Sequence, residues 1–273
     1  MFRQNVACKP LKKLSTWRRI SLATWNRPQD PSVYGSIDMD MTKGLAFIEQ
    51  FQKKTGKKLT LTHLLIKGVA KTLAKFPELN VLIRHNRIYT RDHVDIFVQV
   101  FSEEKENPDL SGARIRDPHE KSFEEIIEAL TKQSQKIRQG EDPNLKTAKN
   151  SLYFFPPLLL KWAIHILSYI GYDLNISPSF LKLPPDPFGA AMISNVGMFG
   201  LKAGYAPLVP FSRTPMVLVA GKVIKKAVVE NDQVVIRPML ELGVTVDHRI
   251  IDGYMAGLAA SYLKNLLENP ELF

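Results

Sequence analysis

Apolar positions along the chain recur with two periods, near 3.6 and near 2, in alternating stretches. Leu45, Ile48 and Phe51 share one face of a predicted helix over 44–55, with Gly56 placed to stop it. A second helix is predicted over 62–75, where Leu65, Val69, Leu73 and Phe76 form the apolar face and Pro77 ends the run. Lys67, Lys71 and Lys75 recur every four residues on another face, which reads as solvated, with a grip on a cofactor phosphate as the alternative. Residues 94–101 (VDIFVQVF) are β-branched and aromatic enough for a strand. Ser122 and Glu125 have capping-box spacing, opening a helix with Phe123, Ile126, Ile127, Leu130 and Ile137 inward and Gly140 at its end. Segments 217–223 and 234–237 flank Asn231-Asp232 and are expected to form a hairpin. Leu240, Leu242, Val244 and Val246 alternate with Glu241, Gly243 and Thr245, a strand with one buried face that delivers the chain to His248. Helical periodicity returns over 254–268. Strands alternating with amphipathic helices predict an α/β sandwich built on a mixed sheet.

Residues 150–187 break this rhythm. Within them 158–172 is apolar almost all round, and Lys161, His165, Ser168 and Tyr172 fall on one narrow polar stripe. Fifteen residues at about 1.5 Å each are too few to cross a bilayer. The segment is therefore expected to be a buried or subunit-facing helix, with a lid over an acyl pocket and an interfacial membrane helix as the other readings.

With 273 residues, 45% of them apolar, the chain is long enough for a substantial core, and 1–273 is expected to form a single catalytic domain. Cys8 is the only cysteine, which excludes an internal disulfide and a cysteine-rich zinc site and fits a cytoplasmic setting; no metal is expected. Met1 to Lys13 is basic but lacks the apolar stretch of a signal peptide. A net charge of +10 points to an anionic partner: a phosphorylated cofactor, an acidic carrier or a membrane surface. Nucleic acid is not expected, since the basic residues are dispersed and no base-stacking stripe accompanies them.

His248 lies in Asp247-His248-Arg249-Ile250-Ile251-Asp252-Gly253, between a predicted strand and a predicted helix. A neutral imidazole there suits general-base removal of a proton from a thiol or hydroxyl. The other reading is that Asp252 caps the final helix and His248 packs against it. Ser194, at a strand end, is likewise either a functional hydroxyl or one that bonds a nearby backbone group.

Residues 242–268 (LGVTVDHRIIDGYMAGLAASYLKNLLE) closely resemble the acyltransferase component of 2-oxoacid dehydrogenase complexes, as does the run 192–200 (MISNVGMFG). Residues 69–80 and 115–126 resemble the same family, while Trp17-Arg18-Arg19 and the His248 motif are more distantly similar to chloramphenicol acetyltransferase. The resemblance spans about 14–147 and 188–273. It implies a chloramphenicol-acetyltransferase-like sandwich, and an acyltransferase with His248 as catalytic base and Ser194 as oxyanion donor. Asp252 is implied to pair with an N-terminal arginine, Arg19 or alternatively Arg18, with Asn195 and Gly253 supporting their motifs. It further implies coenzyme A as thiol partner and a homotrimer with each active site between subunits, the histidine of one facing the serine of the next. Lipoyl and subunit-binding domains are absent from the motif order, so a stand-alone form is expected, served by an acyl-carrier or lipoyl-bearing partner. The tail Glu271-Leu272-Phe273 resembles the apolar tail through which family trimers meet. O-acetylation of a small hydroxylated molecule and a non-catalytic trimeric scaffold are the competing functions.

Overall fold

The structure, a computed structural model, describes residues 30–102, 109–139, 156–176 and 185–273. The strands are β1 (Ser32–Asp40), β2 (Val81–Arg84), β3 (Arg87–Thr90), β4 (Asp95–Ser102), β5 (Asp109–Arg116), β6 (Ala191–Asn195), β7 (Met216–Ala220), β8 (Ile224–Glu230) and β9 (Gln233–Asp247). The helices are α1 (Thr42–Thr55), α2 (Leu61–Lys75), α3 (Phe123–Arg138), α4 (Pro157–Ser168) and α5 (Gly253–Glu268). One mixed sheet runs β1-β9-β7-β6-β4-β5, with β8 added to the outer half of β9, while β2 and β3 form a separate hairpin. The pairs β4–β6 and β6–β7 are parallel and the rest antiparallel. The α/β sandwich read from the sequence is present.

Helices form where the pattern places them, and their ends follow from local chemistry. Gly56 closes α1 at φ 69°, a conformation that glycine adopts without steric cost, and its N–H donates to the Gln52 carbonyl. At α3, the Ser122 N–H donates to Glu125 Oε2 at 2.7 Å and the Glu125 N–H donates to Ser122 Oγ at 3.2 Å, the predicted capping box. One sheet face is covered by helices: Leu65, Ile66 and Leu73 of α2 and Leu263 and Leu267 of α5 pack on Ile96, Ile193, Leu218 and Leu242. The opposite face carries Phe97, Met192, Val217 and Val219, against which Phe188, Leu208 and Val209 fold. Ser32–Phe273 form one compact unit.

Three readings of the pattern need correction. The hairpin at Asn231-Asp232 exists, with both residues at positive φ, but its arms are β8 and β9; residues 217–220 belong to β7 inside the sheet. β9 is buried on both faces near its end, where Gly243 and Thr245 are covered as fully as Leu242, because Gly204 of the overlying loop lies directly against Gly243. Lys67 is not solvated: it is 7% exposed and its Nζ donates to the backbone carbonyls of His119 and Lys121, tying α2 to the approach of α3. Lys71 donates to the Leu272 carbonyl at 2.8 Å, and only Lys75 is exposed. Long stems let lysines cover apolar surface while the ammonium finds oxygen atoms, so periodicity alone misplaces them. Gly140, expected to end α3, lies outside the described residues.

In the segment 150–187 the reading of a helix buried within the chain is excluded. Its helix α4 is present, but Leu159, Trp162, Ile166 and Tyr169 are 48–66% exposed, so the helix is not buried within the chain. The predicted polar stripe divides. Ser168 is buried and donates to the Phe211 carbonyl at 3.2 Å, and the Tyr172 hydroxyl reaches Asp186, while His165 is exposed. No helix among the described residues is long and apolar enough to cross a membrane.

A buried histidine sets a pH dependence. At the start of α2 the Thr60 N–H donates to His63 Nδ1 at 3.0 Å, with the Thr60 hydroxyl 2.8 Å from the same nitrogen. Nδ1 must therefore carry a lone pair, and burial pushes the pKa from 6.5 down to about 4. The unfolded chain binds the extra proton, so this contribution is complete above pH 6.5 and is lost as pH falls toward 4. Urea midpoints should drop across that window by an amount equivalent to up to about 3 kcal/mol. His63→Gln, which keeps an acceptor at the capping position, should flatten the dependence. A wild-type midpoint that holds steady from pH 7 to pH 4.5 would refute the assignment.

Candidate active site

β9 ends at Asp247, and the chain turns at once. The Asp247 N–H donates to the Pro215 carbonyl at 2.9 Å, while the Asp247 carbonyl accepts from the N–H groups of Ile250 and Ile251 at 3.0 and 2.9 Å. The Asp247 carboxylate is 8% exposed and accepts from three groups of Arg249: Nη2 at 2.5 Å, Nε at 2.9 and 3.2 Å to its two oxygens, and the backbone N–H at 3.0 Å. This pairing raises the Arg249 pKa further above its ordinary value. The two residues flanking His248 thus clamp each other around it. His248 itself is exposed, and its ring makes no hydrogen bond among the described residues. Sequence reasoning passed over Asp247 and Arg249; their opposite charges two positions apart, astride the histidine, were the available signal.

Asp252 sits at the N-cap of α5 in extended conformation, and its Oδ1 accepts from the Met255 N–H at 2.9 Å. The cap of that reading is present, whereas His248 is exposed rather than packed, and Oδ2 has no partner among the described residues. Gly253 is the first residue of α5, at negative φ, and a Cβ there would meet nothing within 4 Å, so no steric demand within the described residues requires glycine. Arg19, Arg18 and Cys8 lie outside the described residues.

Ser194 is on β6, one residue before its end, and opens into a cavity of about 510 Å³. The wall includes Thr60, Thr62, Gln99, Ser134 and Arg138, none of which sequence reasoning singled out, because three separated elements contribute them. The Ser194 hydroxyl makes no hydrogen bond among the described residues. Its neighbour Asn195 donates through Nδ2 to Thr62 Oγ1 at 3.1 Å, joining the end of β6 to the start of α2.

Register fixes where these groups stand relative to each other. Ser194 pairs with Val219, and Val219 with Gly243, five residues before His248. At about 3.3 Å per residue and about 4.8 Å between strands, Ser194 and His248 are separated by roughly 19 Å, at opposite ends of one sheet. One chain cannot bring them together. Among the described residues no three His, Cys, Asp or Glu side chains cluster as a metal site would need.

The sequence profile of the 2-oxoacid dehydrogenases acyltransferase (catalytic domain) family matches residues 13–145 and 188–273. This chain belongs to that family. Residues 146–187 fall between the matched segments, so α4 lies in a part of the chain that the family profile does not describe. The chain is 28% identical over 240 residues to the dihydrolipoyllysine-residue succinyltransferase component of the 2-oxoglutarate dehydrogenase complex of Rickettsia typhi, covering 86% of this chain and 48% of that protein. It is 21% identical over 250 residues to the lipoamide acyltransferase component of the branched-chain alpha-keto acid dehydrogenase complex of Bacillus subtilis, covering 89% and 48%. The chain thus spans about half the length of these curated acyltransferase relatives. Among solved structures, the cubic core of the pyruvate dehydrogenase multienzyme complex superposes with a TM-score of 0.67 at 19% identity, covering 100% of this chain and 98% of that one. A probable dihydrolipoamide acetyltransferase from Listeria monocytogenes gives 0.66 at 19% identity, covering 96% of each chain. At these identities the superpositions establish the acyltransferase fold.

The capping bond at Asp252 is directly testable. Asp252→Ala should lower unfolding stability by about 1 kcal/mol, and Asp252→Asn, which also caps helices, should stay near wild type. Equal losses in the two, measured by urea unfolding, would show that the carboxylate charge rather than the cap sustains α5.

Proposed function

We propose that the chain transfers an acyl group between a coenzyme A thioester and a thiol or hydroxyl acceptor, at a site shared by two copies of the chain. His248 of one copy accepts the proton of the incoming thiol. The thiolate attacks the thioester carbonyl, and the negative charge that develops on oxygen is met by a hydrogen bond from the Ser194 hydroxyl of the neighbouring copy. Collapse expels the outgoing thiolate, which takes its proton back from His248, so no covalent acyl-enzyme forms. One preorganised donor at the oxyanion is worth about 3 kcal/mol in barrier height. A base positioned for proton transfer contributes on the order of 10²–10⁴-fold.

The observation that carries this reading is the separation of Ser194 from His248. Both side chains lack partners among the described residues, both stand at the ends of core strands, and roughly 19 Å of sheet divides them, so a second chain must complete each site. A ring of copies, and a homotrimer in the first instance, satisfies that demand with the same contact repeated. Asp252 Oδ2, without a partner among the described residues, suits a further pairing with Arg19, which would steady the His248 turn. The +10 charge favours the phosphates of coenzyme A. The acceptor in this reading is a dihydrolipoyl group or comparable carrier thiol, in the cytoplasm.

Thiol release from acetyl-coenzyme A and longer acyl-coenzyme A, with dihydrolipoamide as acceptor, tests the chemistry. His248→Ala and Ser194→Ala should each lower kcat by on the order of 10²-fold or more. Mixing the two inactive variants under conditions that exchange subunits should restore about a quarter of wild-type activity, since three in four random trimers are mixed and each rebuilds one site of three. Undiminished activity in His248→Ala removes the proposed base. Two inactive variants that never complement remove the shared site.

A further inference from the structure

The segment outside the family match holds an apolar stripe away from the protein. Leu159, Trp162 and Ile166 share one face of α4, and Tyr169, in the turn that directly follows, continues it at a spacing of 3, with exposures of 52, 66, 55 and 48%. Leu174 and Ile176 continue the exposed apolar surface beyond the helix, at 47 and 54%. Several large apolar side chains exposed together on one helical face mark a contact surface.

Polar bonds fix which way the stripe looks. Arg213 Nη2 donates to Asp173 Oδ2 at 2.6 Å, Arg91 Nε donates to Asp186 Oδ2 at 2.7 Å, and Ser168 donates to the Phe211 carbonyl. Asp173 and Arg91 are nearly buried in these pairs. Ser168, Tyr172, Asp173 and Asp186 are thus bonded inward, while large apolar groups, with His165 among them, face outward, the reverse of an ordinary surface helix.

Charge identifies the kind of surface that fits. Asp173 and Asp186 are the only acidic residues in 150–187, and each is neutralised by an arginine of the body. The tip of the β2–β3 hairpin adjoins the stripe: the His85 ring meets Tyr169 edge-on at 6.2 Å, and the His85 N–H reaches Asp173. That tip carries Arg84, stacked over Tyr89 at 4.9 Å, and exposed Arg87, with Ile88 57% exposed beside it. Tryptophan, tyrosine and aliphatic side chains bordered by arginines are the composition of a segment that lies in the headgroup region of an anionic bilayer.

We propose that α4 and the β2–β3 hairpin together form a docking face for an anionic phospholipid surface, on which the protein lies without crossing. The face stands at the His248 end of the sheet, because Phe211 and Arg213, which hold α4, lead directly to Pro215, the partner of Asp247. Lipid binding here stands apart from the acyl-transfer reading and is measured without it.

Flotation of the full chain with vesicles of phosphatidylcholine, with and without phosphatidylglycerol, is the test. Wild type should float with the phosphatidylglycerol vesicles at low salt and less with phosphatidylcholine alone. Trp162→Ser/Ile166→Ser should lower its partition at least about ten-fold. Arg84→Gln/Arg87→Gln should remove most of the preference for anionic lipid. Circular dichroism and thermal midpoints close to wild type in both variants separate lost binding from lost fold. Absence of wild-type flotation at low salt overturns the proposal. So does unchanged partition of Trp162→Ser/Ile166→Ser, which would assign binding to basic residues elsewhere. A wild-type assembly that this variant dissociates, with no lipid binding in either form, overturns it in favour of a second copy covering the face.

Discussion

Strand direction is the constraint from which the rest of the molecule follows. β6 and β7 run parallel, so the residues at their C-terminal ends, Ser194 and Asn195 beside Val219 and Ala220, share one edge of the sheet. β9 runs against β7, so its own C-terminal end, with Asp247 and then His248, lies at the other edge, beside Met216. No side-chain rotation or loop movement bridges that distance, because the hydrogen-bond ladder sets the spacing and buried Ile193, Leu218 and Leu242 lock the register. Two chemically useful groups are thereby held rigidly and apart, which makes assembly part of the proposed chemistry.

The same principle of fixing orientation with few bonds governs the segment at 150–187. Nearly buried ion pairs contribute little net stability, since the charges lose hydration that the pairing only partly restores. Their effect is specificity of placement. Arg213 with Asp173 and Arg91 with Asp186 allow the segment to sit only one way round, and breaking either pair would strand a charge against the protein body. Without them the apolar stripe of α4 would be free to fold back onto the surface beneath it. With them it stays outward, and the protein retains an exposed Trp162 that a single-chain fold has no reason to keep.

Much of this was legible in the sequence. The capping box at Ser122, the stop at Gly56, the turn at Asn231-Asp232 and the alternation into His248 are local rules, and each appears where its residues predict it. The family was legible through the His248 motif and the 192–200 run. What failed depended on neighbours distant in sequence. Lys67 looked solvated until the backbone of 119–121 supplied its acceptors. Residues 217–220 looked like a hairpin arm until β6 and β9 claimed them on both sides. The wall around Ser194 draws on α2, β4 and α3, and no motif links those positions. Helix α4 was read by hydrophobicity, which cannot tell an apolar face turned inward from one turned outward; the arginines that decide lie at 91 and 213.

His248 shows most directly why a single chain is an incomplete catalyst under the proposed reading. A general base must present a lone pair from a defined nitrogen, which requires the other nitrogen to be engaged. Asp247 has the charge for that task but spends both oxygens on Arg249, and Asp252 spends Oδ1 on capping α5. Those bonds hold the backbone of the turn and leave the ring itself unheld among the described residues. Under the proposed reading the groups that select its tautomer come from beyond the described residues, the neighbouring copy or the substrate among them. The described residues supply a stiff platform and leave the imidazole unheld; under the proposed reading, the orientation that converts one into the other is a property of the assembled site.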